Sequence, residues 1–230
     1  MSAPAGPGVE VALETSSARP SVAARRGARR EELSLAGDRP HASDLLPALE
    51  RLLARLQASP GQIESVIVGT GPGSYTGLRV GVATALGLAR GTLAQLFGVP
   101  SLEALAFGEL GPGTTAAFLL DARQGELYLA RYRREADGVD TLLSPCVTTA
   151  AALPELLPPD ELVFADPAAL RAAELEEERA RRPARFRQAV PRASALLELG
   201  SARLAREGPQ TPAQVEPLYL RAFAARLRRR

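Results

Sequence analysis

The sequence predicts an α/β fold built from two βββα-type halves. Three observations carry this. Apolar residues make up 46% of the 230 positions, enough for a substantial core, while aromatics are only 4%, so Ala, Leu and Val must fill it. The stretches LETSSARPSVAAR (residues 13–25) and LLDARQGELYLAR (residues 119–131) share one pattern of apolar strand, acid, polar turn and apolar strand. Between and after them, apolar spacing changes from the strand period to the helix period.

Residues 9–15 read as a first strand, 21–25 as a second and 29–35 as a third, joined by short turns at SSARP and at Gly27. The segment HASDLLPALERLLARLQAS places Leu45, Leu46, Leu49, Leu52, Leu53 and Leu56 on one helical face, with Pro47 tolerated near its start and Ser59-Pro60-Gly61 ending it. Residues 65–69 form a buried strand, and after a glycine turn a second helix is expected to run to about Phe97. The order then restarts: strands at 115–121 and 127–134, a strand near 141–148, a helix over 149–157, a strand at 162–165, and helices near 167–180 and 192–207. The expected division is residues 1–108 and residues 109–230, the second part ending in a basic tail.

Missing residue types narrow the chemistry. All 28 basic residues are Arg, so neither a Schiff-base lysine nor a phosphate-loop lysine is available. His41 is the only histidine, which excludes a paired-histidine metal site. The single Cys146 excludes an internal disulfide framework. No window has the roughly 18 apolar residues of a membrane span, and the first residues lack a secretory pattern, so a cytoplasmic protein is expected. The net charge of +2 is too small to indicate nucleic-acid binding, but the last ten residues, RAFAARLRRR, carry five Arg and no acid. A second basic cluster covers residues 179–192. Both read as solvated surface or as phosphate contacts to RNA.

The strand-to-helix turn GTGPGSYTGLRVG (residues 69–81) is the sharpest local feature. It fails the phosphate-loop pattern, because Thr76 stands where a second glycine is needed. It fails the dinucleotide pattern too, because Gly77 comes one residue late. What remains is a turn shaped by Gly71, Pro72 and Gly73, with Ser74 or Thr76 able to cap the next helix. Such a helix start either binds an anion or is simply well capped. Along that helix Gly77, Gly81, Ala85 and Ala89 recur every four residues, as do Ala83, Gly87 and Gly91. Each interior glycine costs about 1 kcal/mol relative to alanine, so close approach of another helix, internal or foreign, is the expected compensation.

At GPGSYTGLRVG the sequence resembles the TsaB family, also called YeaZ, whose hallmark is GPGS[FY]TG[LVI]R[IV]G. All of Gly71, Pro72, Gly73, Ser74, Tyr75, Thr76 and Gly77 match, as does the remainder to Gly81. LETSSARPSVA, HASDLLPALERLL, LDARQGELYLARY and VEPLYLRA agree in order, so the resemblance covers most of the chain. It implies two RNase H-like subdomains of the actin-like ATPase superfamily. It also implies a non-catalytic, cofactor-free subunit in the making of threonylcarbamoyladenosine beside the tRNA anticodon. The implied partner is TsaD, the catalytic paralogue, bound through two N-terminal helices. TsaE joins the assembly, a homodimer is an alternative, and tRNA is met through the complex. Carried onto this chain, the expected interface comprises His41, Leu45, Leu49, Gly77, Arg79, Gly81 and Ala85, with Arg79 placed to pair with a carboxylate or phosphate. Glu14 departs from the family's usual Asp in the first strand, which weakens a nucleotide role. The rival expectation is a stand-alone metallopeptidase or nucleotide hydrolase of the same superfamily, with Glu14 and Asp121 flanking a cleft and holding Mg²⁺.

Overall fold

The computed structural model describes residues 7–35, 44–171 and 173–220. The first sheet contains β1 (Val9–Glu14), β2 (Ser21–Arg26), β3 (Arg29–Ser34), β4 (Ile63–Gly69) and β5 (Gln95–Val99), in the order β3-β2-β1-β4-β5. The second contains β6 (Thr115–Arg123), β7 (Glu126–Arg134), β8 (Val139–Thr149), β9 (Leu162–Ala165) and β10 (Phe186–Gln188), in the order β8-β7-β6-β9-β10. In each sheet the first three strands pair antiparallel, and the fourth and fifth run parallel to the first. The same five-strand topology therefore occurs twice, as the repeated strand–acid–turn–strand pattern implies.

Alternation along the strands sorts the core. Val9, Val11 and Leu13 of β1, with Val66 and Val68 of β4, face one side of the first sheet. There they meet helix α1 (Leu45–Arg55) and helix α2 (Tyr75–Thr92). Ala12 and Ile67 point to the other side and pack on α6 (Ala193–Glu207), whose Leu196 and Leu199 are fully buried. Burying a leucine contributes about 1.5–3 kcal/mol, so the five buried residues of α1 (four leucines and Ala48) hold that helix on the sheet despite its modest length. On the second sheet, α3 (Ser101–Glu109) covers one side through Leu102 and Leu105. The short α4 (Leu153–Leu156) and α5 (Ala173–Arg181) cover the other.

Two helices thus cross over: α3 comes after the strands of the first sheet and packs on the second, and α6 does the reverse. They touch each other through a buried ion pair between Glu103 and Arg203. Burial drives the Glu103 carboxyl above the usual glutamate range, and the Arg203 guanidinium opposes that shift. No helix among the described residues is long and apolar enough to cross a membrane.

Two expectations from sequence need correction, and one strand is not foreseen. The second helix stops at Thr92, not near Phe97, and the chain goes on directly into β5 and α3. Leu93 ends the helix in the left-handed region at φ 59°, a position that glycine usually takes, so the sequence shows no stop there. The helix expected over 149–157 is a single 3-10 turn at Ala150–Ala152 and then the four-residue α4. The three-residue β10 is too short to leave a periodic signal.

Candidate functional site

The two halves face each other across a cleft of about 430 Å³. Its walls are the β1–β2 turn (Ser16, Ser17, Ala18), the start of α2 (Gly73, Ser74, Tyr75, Thr76), the β6–β7 turn (Asp121, Arg123, Gln124), Asp166 after β9, and Leu218 and Tyr219. The equivalent turns of the repeat therefore meet at one place.

The hallmark loop is held from three directions. Gly71 donates its amide to the Ser101 hydroxyl at 3.1 Å, and its carbonyl accepts from the Ser101 amide at 2.8 Å. Ser74 donates to the Ser16 carbonyl at 2.7 Å, and its hydroxyl accepts from the Gly77 amide at 3.2 Å, capping α2. Leu218 donates to the Thr70 carbonyl at 2.7 Å, tying the C-terminal strap to the loop. Gly71 needs its φ of +100°, which other residues rarely adopt. A Cβ at Gly73 would overlap Ser16, at Gly77 the Thr15 carbonyl, and at Gly81 the Thr15 hydroxyl. Three amides that could have received a phosphate are thus taken by the chain itself, and the loop acts as a joint between β1, α2 and α3.

Of the acids, Asp121 and Asp166 line the cleft, and Glu14 does not. Glu14 is fully buried; it accepts the Ser16 amide at 2.7 Å and its other oxygen lies beside Gly69 and Ser101. Burial raises its carboxyl above the usual range, against the pull of the Ser16 and Ser101 hydrogen bonds. Asp121 accepts the Arg123 amide at 2.9 Å and pairs with the Arg123 guanidinium. Asp166 accepts the Ala169 amide at 2.6 Å, and burial raises its carboxyl too. Among the described residues no group of three or more metal-ligating side chains forms. Glu14 is not among the residues that line the cleft, so Glu14 and Asp121 do not flank a shared site.

The expected interface residues separate into two sets. Leu45 and Leu49 are each 2% exposed and belong to the first core, as does the fully buried Ala85. Gly81 is buried against Thr15, and Gly77 presses on the same turn. The Gly77–Gly81–Ala85 stripe is therefore small because β1 and its turn lie against it; the close neighbour at Gly77 and Gly81 is not a helix. Only Arg79 of the expected set within the described residues is exposed, and it lies over the Tyr75 ring at 4.6 Å. His41 lies outside the described residues.

The second stripe behaves differently. Thr76, Arg79, Ala83, Gly87 and Arg90 form the exposed face of α2, and a Cβ at Gly87 or Gly91 would meet nothing within 4 Å. On α1, Leu46 is 48% exposed. Tyr219 was missed by sequence reasoning, although aromatic scarcity gave a signal: three of the four tyrosines, Tyr75, Tyr128 and Tyr219, line the cleft.

Residues 35–226 match the family described as TsaD: tRNA N6-adenosine threonylcarbamoyltransferase. Escherichia coli TsaB, a tRNA threonylcarbamoyladenosine biosynthesis protein, is 36% identical over 103 residues, 44% of this chain and 45% of that one. Its namesake from Haemophilus influenzae is 32% identical over 127 residues, 54% of each. The structure of YeaZ from Pseudomonas aeruginosa superposes with a TM-score of 0.74 at 26% identity, covering 93% of this chain and 100% of that one. The chain belongs to the TsaB/YeaZ family. It spans about half the length of these two TsaB proteins. Within this TsaB/YeaZ chain the hallmark loop is a structural joint, and the exposed feature next to it is the outer face of α2.

Proposed function

We propose that this chain serves tRNA threonylcarbamoyladenosine biosynthesis as a docking subunit that pairs with a TsaD and does no chemistry of its own. The outer faces of α1 and α2 form the docking surface, with TsaE as a further member of the assembly and a second copy of this chain as a competing occupant. The observation that carries this reading is the stripe Ala83–Gly87–Gly91. It is small and exposed, and no neighbour among the described residues explains it, whereas the inner stripe is explained by Thr15 and the core. Exposed glycines in a helix interior destabilise it by about 1 kcal/mol each, and close approach of a partner helix offsets that. Half-exposed Leu46 supplies an apolar contact on α1, and Arg79, held by the Tyr75 ring, supplies a charged one on α2.

The names of the relatives support the pathway, and the engaged acids of the cleft support the absence of chemistry. Co-purification with TsaD tests the reading. Ala83→Glu and Gly87→Glu are expected to abolish it while leaving the melting temperature within a degree or two of the parent; undiminished capture of TsaD by both variants would overturn it.

A further inference from the structure

The mouth of the interlobe cleft carries features that docking through α1 and α2 does not use. Tyr219 is 42% exposed and lies against Tyr75, with ring centroids 4.9 Å apart and the two planes tilted by 34°. On Tyr75 lies Arg79, its guanidinium carbon 4.6 Å from the ring centre. The two hairpin turns that face the cleft each carry an exposed arginine: Arg19 beside Ala18, and Arg123, whose side chain is 77% exposed. Among the described residues Arg19 and Arg79 have no carboxylate partner within ion-pair distance. The acids nearby are Asp121, which takes the Arg123 amide and pairs with its 77% exposed side chain, Asp166, which is turned to a backbone amide, and the exposed Glu216 on the strap. From Leu220 the sequence continues with ten residues, five of them arginine.

We propose that this mouth is a direct contact site for single-stranded RNA. Tyr219, backed by Tyr75, is the platform for one unpaired base, and Arg19, Arg79 and Arg123 contact the flanking phosphates. The chemistry favours RNA over a protein partner. The lining mixes hydroxyls, from Ser16, Ser17, Ser74 and Thr76, with the aromatic rings of Tyr75, Tyr128 and Tyr219, a pairing that suits the sugar hydroxyls and base faces of an unpaired strand. Separated arginines around an exposed aromatic are the arrangement that reads a strand by stacking and backbone charge. An unpaired strand is required because a duplex hides its base faces. Such a contact rests on the RNA-modification role proposed above and gives this chain its own hold on RNA.

The test uses the isolated full chain, so it does not depend on docking to TsaD. Fluorescence anisotropy with a short unstructured oligoribonucleotide is measured between about 50 and 200 mM salt. The intact chain is expected to bind with a salt dependence that falls by about 1.4 in log–log slope in Arg19→Glu/Arg123→Glu, about 0.7 for each lost phosphate contact. Tyr219→Ala is expected to weaken binding about tenfold at unchanged slope, while Tyr219→Phe keeps it, because stacking needs the ring and not the hydroxyl. Ultraviolet crosslinks are expected at Tyr219 or Tyr75. No binding by the intact chain at the lowest salt would overturn the proposal. So would an unchanged slope in the double charge variant, or crosslinks confined to other segments. If the same variants lose a co-purifying protein but bind the oligonucleotide normally, the mouth is a protein surface and the proposal fails. Loss of RNA binding with TsaD capture intact would leave the docking reading standing.

Discussion

Gly81 of α2 lies directly against Thr15 at the end of β1: a Cβ at position 81 would overlap the Thr15 hydroxyl. One turn earlier Gly77 meets the Thr15 carbonyl in the same way. The hallmark glycines therefore fix how closely α2 approaches the first strand, and they set the cleft wall in which Ser16 and Ser74 are joined by a hydrogen bond of 2.7 Å.

This contact separates the glycines of α2 by experiment. Gly77→Ala forces a methyl group onto backbone and is expected to cost about 1–3 kcal/mol. Gly87→Ala adds a methyl group in open space within a helix and is expected to stabilise the isolated chain by about 0.5–1 kcal/mol. Urea denaturation of both variants checks the pair. If both are destabilised alike, Gly87 is packed in the free chain and the outer stripe needs a different account.

The buried Glu14 carboxyl predicts a dependence of stability on pH. Its folded pKa lies above the ordinary 4.5, with burial as the main cause. The folded state then holds a proton that the unfolded state releases, so stability falls as pH rises from about 4.5 through the folded value. Asp166 and Glu103, also raised by burial, contribute in the same direction. Glu14→Gln is expected to flatten part of this slope in melting temperatures recorded across the acid to neutral range. A variant with the parent's slope would show that Glu14 is not the group responsible.

The crossing helices α3 and α6 depend on Glu103 and Arg203. Arg203→Met leaves the Glu103 carboxyl buried without its cation and is expected to cost about 2–4 kcal/mol, below the full value for a sealed pair because Arg203 is 22% exposed. Replacing both residues with methionine is expected to recover most of that loss. Equilibrium unfolding of the single and double variants measures the difference; equal losses in both would mean that packing, not charge, holds the two helices.

Much of this architecture is legible in the sequence because each half announces itself with an apolar strand, an acid and a polar turn. The hairpins at residues 13–25 and 119–131 show that pattern, and the two sheets repeat one topology around them. The end of α2 is hidden because Leu93, not glycine, adopts the left-handed conformation there. The interface is only half legible for a related reason. Small residues recur every four positions on two stripes of α2, and composition cannot tell which stripe meets β1 and which meets solvent. Leu45 and Leu49 share a helix with Leu46, but only Leu46 points outward. Tyr219 reaches the cleft through a strap whose course is set by distant hydrogen bonds, Gln210 to the Leu96 carbonyl and Leu218 to the Thr70 carbonyl, and these leave no local periodicity.

The central claim is that a TsaD meets this chain on the outer stripe of α2. A photoreactive amino acid placed at position 83, with position 156 on the exposed part of α4 as control, measures this directly. Irradiation of the chain mixed with TsaD is expected to give a covalent adduct from position 83 and none from position 156. An adduct from 156 alone, or none from 83 under conditions where the two proteins co-purify, would place the partner elsewhere and contradict the claim.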